Sequence, residues 1–366
     1  MDQKGFILIV VTIIMAVLLA LGGVHLSMIS SEQRLTLRSY RRISAINLAE
    51  AGIELAIWEL NYGNIASWSG SPATKTVTSF SSSGGEIMGD FTVTADLTSD
   101  PVIEIEATGY TPSTSSPLMA KRRVKVVTKG RAAAFDYTVC TKELLKVEAP
   151  VSITGDLHSN TNIINEGVAV TGAGSAHGAV SGDGTFSEGS QDSADEITLP
   201  TLDMVDYATK ATEVGYTHNE DWDVTGATLN IPVLSPINGI IYIYGNLEGD
   251  GVTIVGPGII VAEGYIKLES NSVVGSSAAT AVGLFSDYDG IDAIKLETDS
   301  ACYAVLFGPK GQVKIETTST LYGSIVGETF KLETDSTIEY LDLSGSIDLP
   351  FSGGTKIYSV TSWQEK

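Results

Sequence analysis

The chain has 366 residues, room for two or three domains, with 22 Lys and Arg against 44 Asp and Glu and a net charge of −22. That balance excludes nucleic acid as a partner, since phosphates demand a basic face, and two cysteines are too few for a disulfide scaffold. Residues 1–62 and 63–134 are close to neutral, so the acidity sits in 135–366, as suits a solvated extracytoplasmic surface able to collect Ca²⁺. A single bridge between Cys140 and Cys302 stays open, and His25, His158, His177 and His218 form no ligand-spaced pair.

Residues 1–5 form a short polar leader ending in Lys4-Gly5, followed at once by an apolar run from Phe6 to Ile29. A run of about 24 residues spans roughly 36 Å, enough to cross a hydrocarbon core of about 30 Å and too long for the core of a secretory signal. The pattern then continues as a helix. Ile43, Ile46, Ile53, Ile57 and Leu60 recur near one face, and Ala45, Ala49, Gly52 and Ala56 form a stripe of small residues that permits close packing. Gly63-Asn64 supplies the stop signal, so 6–62 reads as one helix with Gly22-Gly23 as its weak point.

The leader, the apolar run and the stretch Asn47-Leu48-Ala49-Glu50-Ala51-Gly52-Ile53-Glu54 resemble the N-terminus of type IV pilins, in particular PilX-type minor pilins and GspK-type pseudopilins. The resemblance implies cleavage by prepilin peptidase between Gly5 and Phe6 and methylation of Phe6; a plain signal anchor is the alternative. Most pilins carry a glutamate at the position of Val10. A carboxylate in hydrocarbon is costly unless paired, and a subunit lacking it suits the first place in a fibre, at its tip; a replaced position in an ordinary minor pilin is the other reading. Arg34, Arg38, Arg41 and Arg42 lie beyond the apolar run, where a simple positive-inside count would place them in the cytoplasm. The resemblance implies the opposite orientation, with these arginines meeting acidic groups of neighbouring subunits or lipid headgroups, or forming a solvated face.

From residue 75 to 130 the period falls to two, with strands expected at Lys75–Phe80, Phe91–Leu97, Val102–Tyr110 and Arg123–Val127 and loops at Ser81–Gly85 and Thr111–Pro117. The basic run Lys121–Lys125 reads as a solvated edge strand protected from stray pairing, or as a contact for the acidic region.

The remaining residues repeat one phrase: Lys146-Val147-Glu148, Lys267-Leu268-Glu269, Lys295-Leu296-Glu297, Lys314-Ile315-Glu316 and Lys331-Leu332-Glu333. In a strand the Lys and Glu share the outer face and the aliphatic residue points inward. Short strands of this kind bury their apolar side only by stacking, which predicts a parallel β-solenoid, read as a right-handed β-helix, with a β-sandwich as the alternative. Residues Leu202–Ala211 read as a helix packed across it. Gly155–Asn160 and Leu321–Gly327 resemble bactofilin-like β-helical domains. No nucleophile elbow or phosphate loop occurs. Asp287, Asp289 and Asp292 around Gly290 read as a surface turn or as the start of a Ca²⁺ site.

The expected fold is mainly β with one long N-terminal α-helix: leader 1–5, transmembrane and assembly helix 6–62, pilin-like small β-sheet domain 63–134 and acidic solenoid 135–366. The expected function is that of a non-catalytic minor pilin at or near a type IV pilus tip, active in assembly, priming or adhesion. Its partners would be other pilins, met through the helix, and prepilin peptidase. It would sit as a single pass in the inner membrane with the C-terminal domain outside, and then in the surface pilus. The alternatives are a tip pseudopilin of a type II secretion system and a membrane-anchored carbohydrate-binding or cleaving β-helix.

Overall fold

A computed structural model describes residues 3–365 except 64, 82–86, 100–101, 117–118, 149, 215, 233–238, 318–319, 334–335, 344–346 and 348–355. The start of the leader and the core of the expected Ser81–Gly85 loop lie outside the described residues, as do the side chains of residues 3–10, including those of Phe6 and Val10. The chain divides into two units, residues 1–130 with 358–366 and residues 131–357.

In the first unit, α1 runs unbroken from Gln3 to Asn61, 59 residues or about 89 Å. Neither Gly22 nor Gly23 interrupts it. Four antiparallel strands follow in meander order: β1 (Ala73–Ser81), β2 (Ile87–Asp96), β3 (Val102–Thr111) and β4 (Ala120–Ala132). The small-residue stripe packs, joined by Leu48 and by Ile53 of the other stripe: Ala45, Ala49 and Ala56 are buried with them, against Phe91, Val93, Ile105 and Ala107 of the sheet. Ile43 of the other stripe stays 56 % exposed. The approach is close because it is made of glycine and alanine. A Cβ on Gly109 would stand 2.0 Å from the Ala45 carbonyl oxygen, and one on Gly52 would stand 3.0 Å from the Phe91 ring.

Two expectations change here. The expected solenoid boundary at 366 is too late, because the strand Lys356–Glu365 returns to this first sheet and lies beside β4. The Asn61 side chain holds it, donating to the Tyr358 carbonyl at 3.2 Å and accepting from the Tyr358 N–H at 2.6 Å. Consequently Lys121–Lys125 is not on an edge strand. Its cations instead pair across β3, Lys125 with Glu104 at 2.5 Å and Arg123 with Glu106 at 3.2 Å.

The second unit is a solenoid of stacked parallel strands with three faces. Its coils do not stack in chain order. The first coil, Val139–Thr141, Leu145–Glu148 and Ser152–Thr154, pairs on one side with the strand Thr320–Glu333, near the end of the unit, and on the other with the next coil, Leu157–Thr171. The chain builds outward from there to Ser190–Gln191. A helix, α2 (Met204–Val214), then precedes the coil at the other extremity, Tyr216–Asn230, from which the strands stack back towards the starting coil.

The faces differ because their outer sides differ. On the first face Gly239–Ile243, Gly258–Ala262 and Val282–Ser286 are buried at every residue. These strands therefore read as continuous apolar runs, as parallel strands covered on both sides do. Their outer side chains pack under Tyr207 and Ala211 of α2 and under Phe135, Ile197 and Leu343. Asp203 caps α2, its carboxylate accepting the Asp206 N–H at 3.0 Å. On the second face the strands alternate, as in Ile266–Glu269, with Ile266 and Leu268 fully buried inside and Lys267 and Glu269 outside.

Candidate functional site

Three regions carry the chemistry of the chain. The first is α1 before the sheet. Every residue from 11 to 40 is exposed, among them Ile14 at 53 %, Leu18 at 62 % and Leu19 at 74 %. This is one N-terminal helix long and apolar enough to cross a membrane, with a best-window mean hydropathy of 2.2. Arg34 and Arg38 are exposed beyond the apolar run, and Glu50 is half-buried where the helix meets the sheet.

The second region is the outer side of the second face. Strand register places Lys267, Lys295, Lys314 and Lys331 in one column, with glutamates in the parallel column two residues on. Like charges one strand apart repel, and cross-linking between the columns relieves this. Lys295 is the centre of the zipper: its ammonium reaches Glu316 at 2.7 Å, Glu269 at 3.0 Å and Glu297 at 3.1 Å. Burial opposes its charge, yet the three carboxylates hold its pKa above the ordinary lysine value. Lys146 joins Glu148 and Glu166 in the same way in the first coils. The repeated phrase thus marks a charge lattice on a flat face.

The zipper fails at one end. There the columns run Asp223, Glu248, Lys267 and Thr225, Asp250, Glu269, lining an acidic groove of about 240 Å³. Tyr265 donates to Glu248, and that bond, helped by burial, pushes its pKa up to about 12.

The third region, a buried histidine network, escaped sequence reasoning. Asn160 donates through Nδ2 to the Ile197 carbonyl at 2.7 Å and accepts the Ile197 N–H on Oδ1 at 2.9 Å, which fixes its amide orientation. His158 Nε2, 2.9 Å from that same Oδ1, must then carry the proton, leaving Nδ1 to accept from the Ser175 hydroxyl at 2.9 Å. Serine and imidazole lie within the reach of a nucleophile and its base. However, His158 is 1 % exposed, with Tyr137 against its ring at 5.2 Å, so the network acts as a clasp on the segment around Ile197. The signal was polar residues at outward strand positions, but covered outward positions cannot be told from exposed ones until the strap at Ile197 is in place.

Asp287, Asp289 and Asp292 lie in the turn between the strands Val282–Ser286 and Ile294–Thr298. Asp287 is bound by Lys310 at 2.8 Å, and Asp289 adds to the field that raises the pKa of Lys142 after its main partner Glu328. Among the described residues no group of three His, Cys, Asp or Glu side chains is placed to hold a metal ion. Cys140 and Cys302 are both free and buried, in the outer and inner cores of the solenoid respectively, so no bridge links them.

No family model matches the chain, and no curated protein matches it. Among solved structures it is similar to the competence-associated pilin ComZ from Thermus thermophilus, at 10% identity over 89% of this chain and 97% of that one, with a TM-score of 0.24. It is also similar to an ice-binding protein from the Antarctic ascomycete Antarctomyces psychrotrophicus, at 11% identity over 57% of this chain and 95% of that one, again with a TM-score of 0.24. Neither likeness is close enough to say what this chain does.

Proposed function

We propose that the chain is a non-catalytic minor pilin of a type IV pilus, placed at or near the tip. The observation that supports this reading is the division of labour along α1. Its residues 44–56 are consumed by the sheet, while residues 11–29 offer an apolar rod exposed along its whole length. An exposed apolar surface of that extent in water is unfavourable at roughly 25 cal/mol per Å². The rod therefore belongs in lipid first and among neighbouring pilin helices afterwards. Prepilin peptidase would cut between Gly5 and Phe6, and with Val10 the subunit would lack the carboxylate that pairs with the terminal amine of the subunit already in the fibre. The acidic solenoid would then be the part that meets the surroundings of the fibre.

N-terminal sequencing and intact mass of the mature protein test the reading. A start at methylated Phe6 is expected, and Gly5→Trp should leave the full-length, uncut chain in the inner membrane. Mature wild-type protein beginning at Met1 would overturn it.

A further inference from the structure

The two extremities of the solenoid are finished differently. At one, the strands shrink to the two-residue pieces Val180–Ser181, Thr185–Phe186 and Ser190–Gln191, punctuated by Gly182, Gly184 and Gly189. Short, glycine-broken, polar strands are a poor template for further pairing. The other extremity keeps full strands, Tyr216–His218, Trp222–Thr225 and Thr228–Asn230, each in register with one neighbour.

In Trp222–Thr225 the N–H of Trp222 donates to Asn246 and that of Gly226 to Asp250, so alternate residues turn the other way. The N–H and C=O groups of Asp223 and Thr225 therefore point off the end of the stack, where no partner is found among the described residues. The inward side chains of this coil form an aromatic lid on the core. His218 stacks on Trp222 at 4.8 Å and Tyr216 leans on it at 5.7 Å, with Tyr216 still 47 % exposed. The charges carried by this coil are all of one sign: residues 211–230 hold Glu213, Glu220, Asp221 and Asp223 and no Lys or Arg.

We propose that this open edge receives, by strand addition, an extended segment of another protein in which apolar residues alternate with Lys or Arg. In the outer column Asp223 stands one strand from Glu248, a like charge, while Glu248 has Lys267 on its other side. A cation one strand beyond Asp223 would give Asp223 the opposite-charged neighbour that Glu248 has in Lys267. Apolar neighbours of that cation would cover Trp222 and Val224 as Leu247 and Gly249 do from below. Main-chain bonds supply affinity and the alternate side chains supply selectivity, as in other strand additions. A second copy of the same end is disfavoured, because it would set carboxylate against carboxylate. The inference rests on the solenoid alone and stands or falls independently of the pilin reading.

The test uses the full chain in detergent micelles and a fluorescein-labelled peptide Ser-Ile-Lys-Leu-Lys-Val-Ser, followed by anisotropy. Saturable binding is expected. It should weaken by about tenfold or more with Asp223→Lys, and likewise when the peptide lysines become glutamates or its strand amides are N-methylated. Asp183→Lys, at the tapered end, should bind as wild type does. The proposal is overturned if the N-methylated peptide binds equally well, if Asp223→Lys has no effect, or if chitohexaose displaces the peptide, which would mark the aromatic lid as a glycan platform instead.

Discussion

Lys295 shows how one side chain can hold a face together. Its three carboxylate partners lie on its own strand and on the strands to either side, so removing the ammonium leaves Glu269, Glu297 and Glu316 facing one another. Its side chain is 14 % exposed, whereas Glu297 is 47 % exposed and partly screened. A loss of about 1–2 kcal/mol is expected for Lys295→Met, between the surface and buried limits, read as a lower Tm. The pH limits follow from the directions of the shifts. The raised lysine stabilises below the ordinary value of about 10.4 and loses this as pH climbs through its folded pKa. Burial raises and the Lys295 and Lys267 bonds lower the pKa of Glu269, with a net decrease. Its contribution is therefore present above about 4.3 and lost as pH falls. His158 adds a separate acid limb. Burial lowers its pKa, so the unfolded chain takes up the proton first and stability declines once pH drops below about 6.5. The Tm difference between about pH 7.5 and 5.5 should accordingly shrink in His158→Gln; an unchanged difference would remove His158 as its source.

Among the elements, α1 and β3 meet where neither has bulk. Gly109→Val would drive a side chain into the Ala45 carbonyl and lift the helix from the sheet, at a cost of about 1–3 kcal/mol or more. Chemical denaturation would show this as a lower midpoint. The returning strand is tied by a different device. Asn61→Ala removes both bonds to Tyr358, and hydrogen exchange over Lys356–Glu365 should accelerate by the equivalent of about 1–3 kcal/mol while β2 and β3 keep their protection. The misreading of Lys121–Lys125 has its origin here. Basic residues do protect edges, and nothing near β4 announces that a strand from the far end of the chain will cover it.

Over the molecule as a whole, the solenoid is joined in the interior of its stack, where the first coil of the chain meets the last. Ile325 donates its N–H to the Thr138 carbonyl at 2.9 Å, and Ile325 is fully buried beside Val139. Ile325→Ala should cost about 2–5 kcal/mol. Exchange should speed up in Thr138–Thr141 and Ser324–Gly327 together, although these segments are distant in sequence. Exchange confined to one of them would mean that the seam is not cooperative.

Periodicity and composition, which report a residue's own neighbours, were enough for the apolar helix with its small-residue stripe, the four-strand meander, the α2 segment and the inward-aliphatic, outward-charged strands of the Lys-x-Glu phrase. They also located the acidity in the C-terminal region. Folding alone settled which strands become neighbours: the joining of the first coil to the last, the return of Lys356–Glu365, the capture of Asp287 by Lys310 and the burial of His158 under Tyr137. Each is a contact between segments whose local signals are complete without it. Pairing of that kind depends on which surfaces are left to cover once the local elements exist, and a single sequence carries no periodic trace of it.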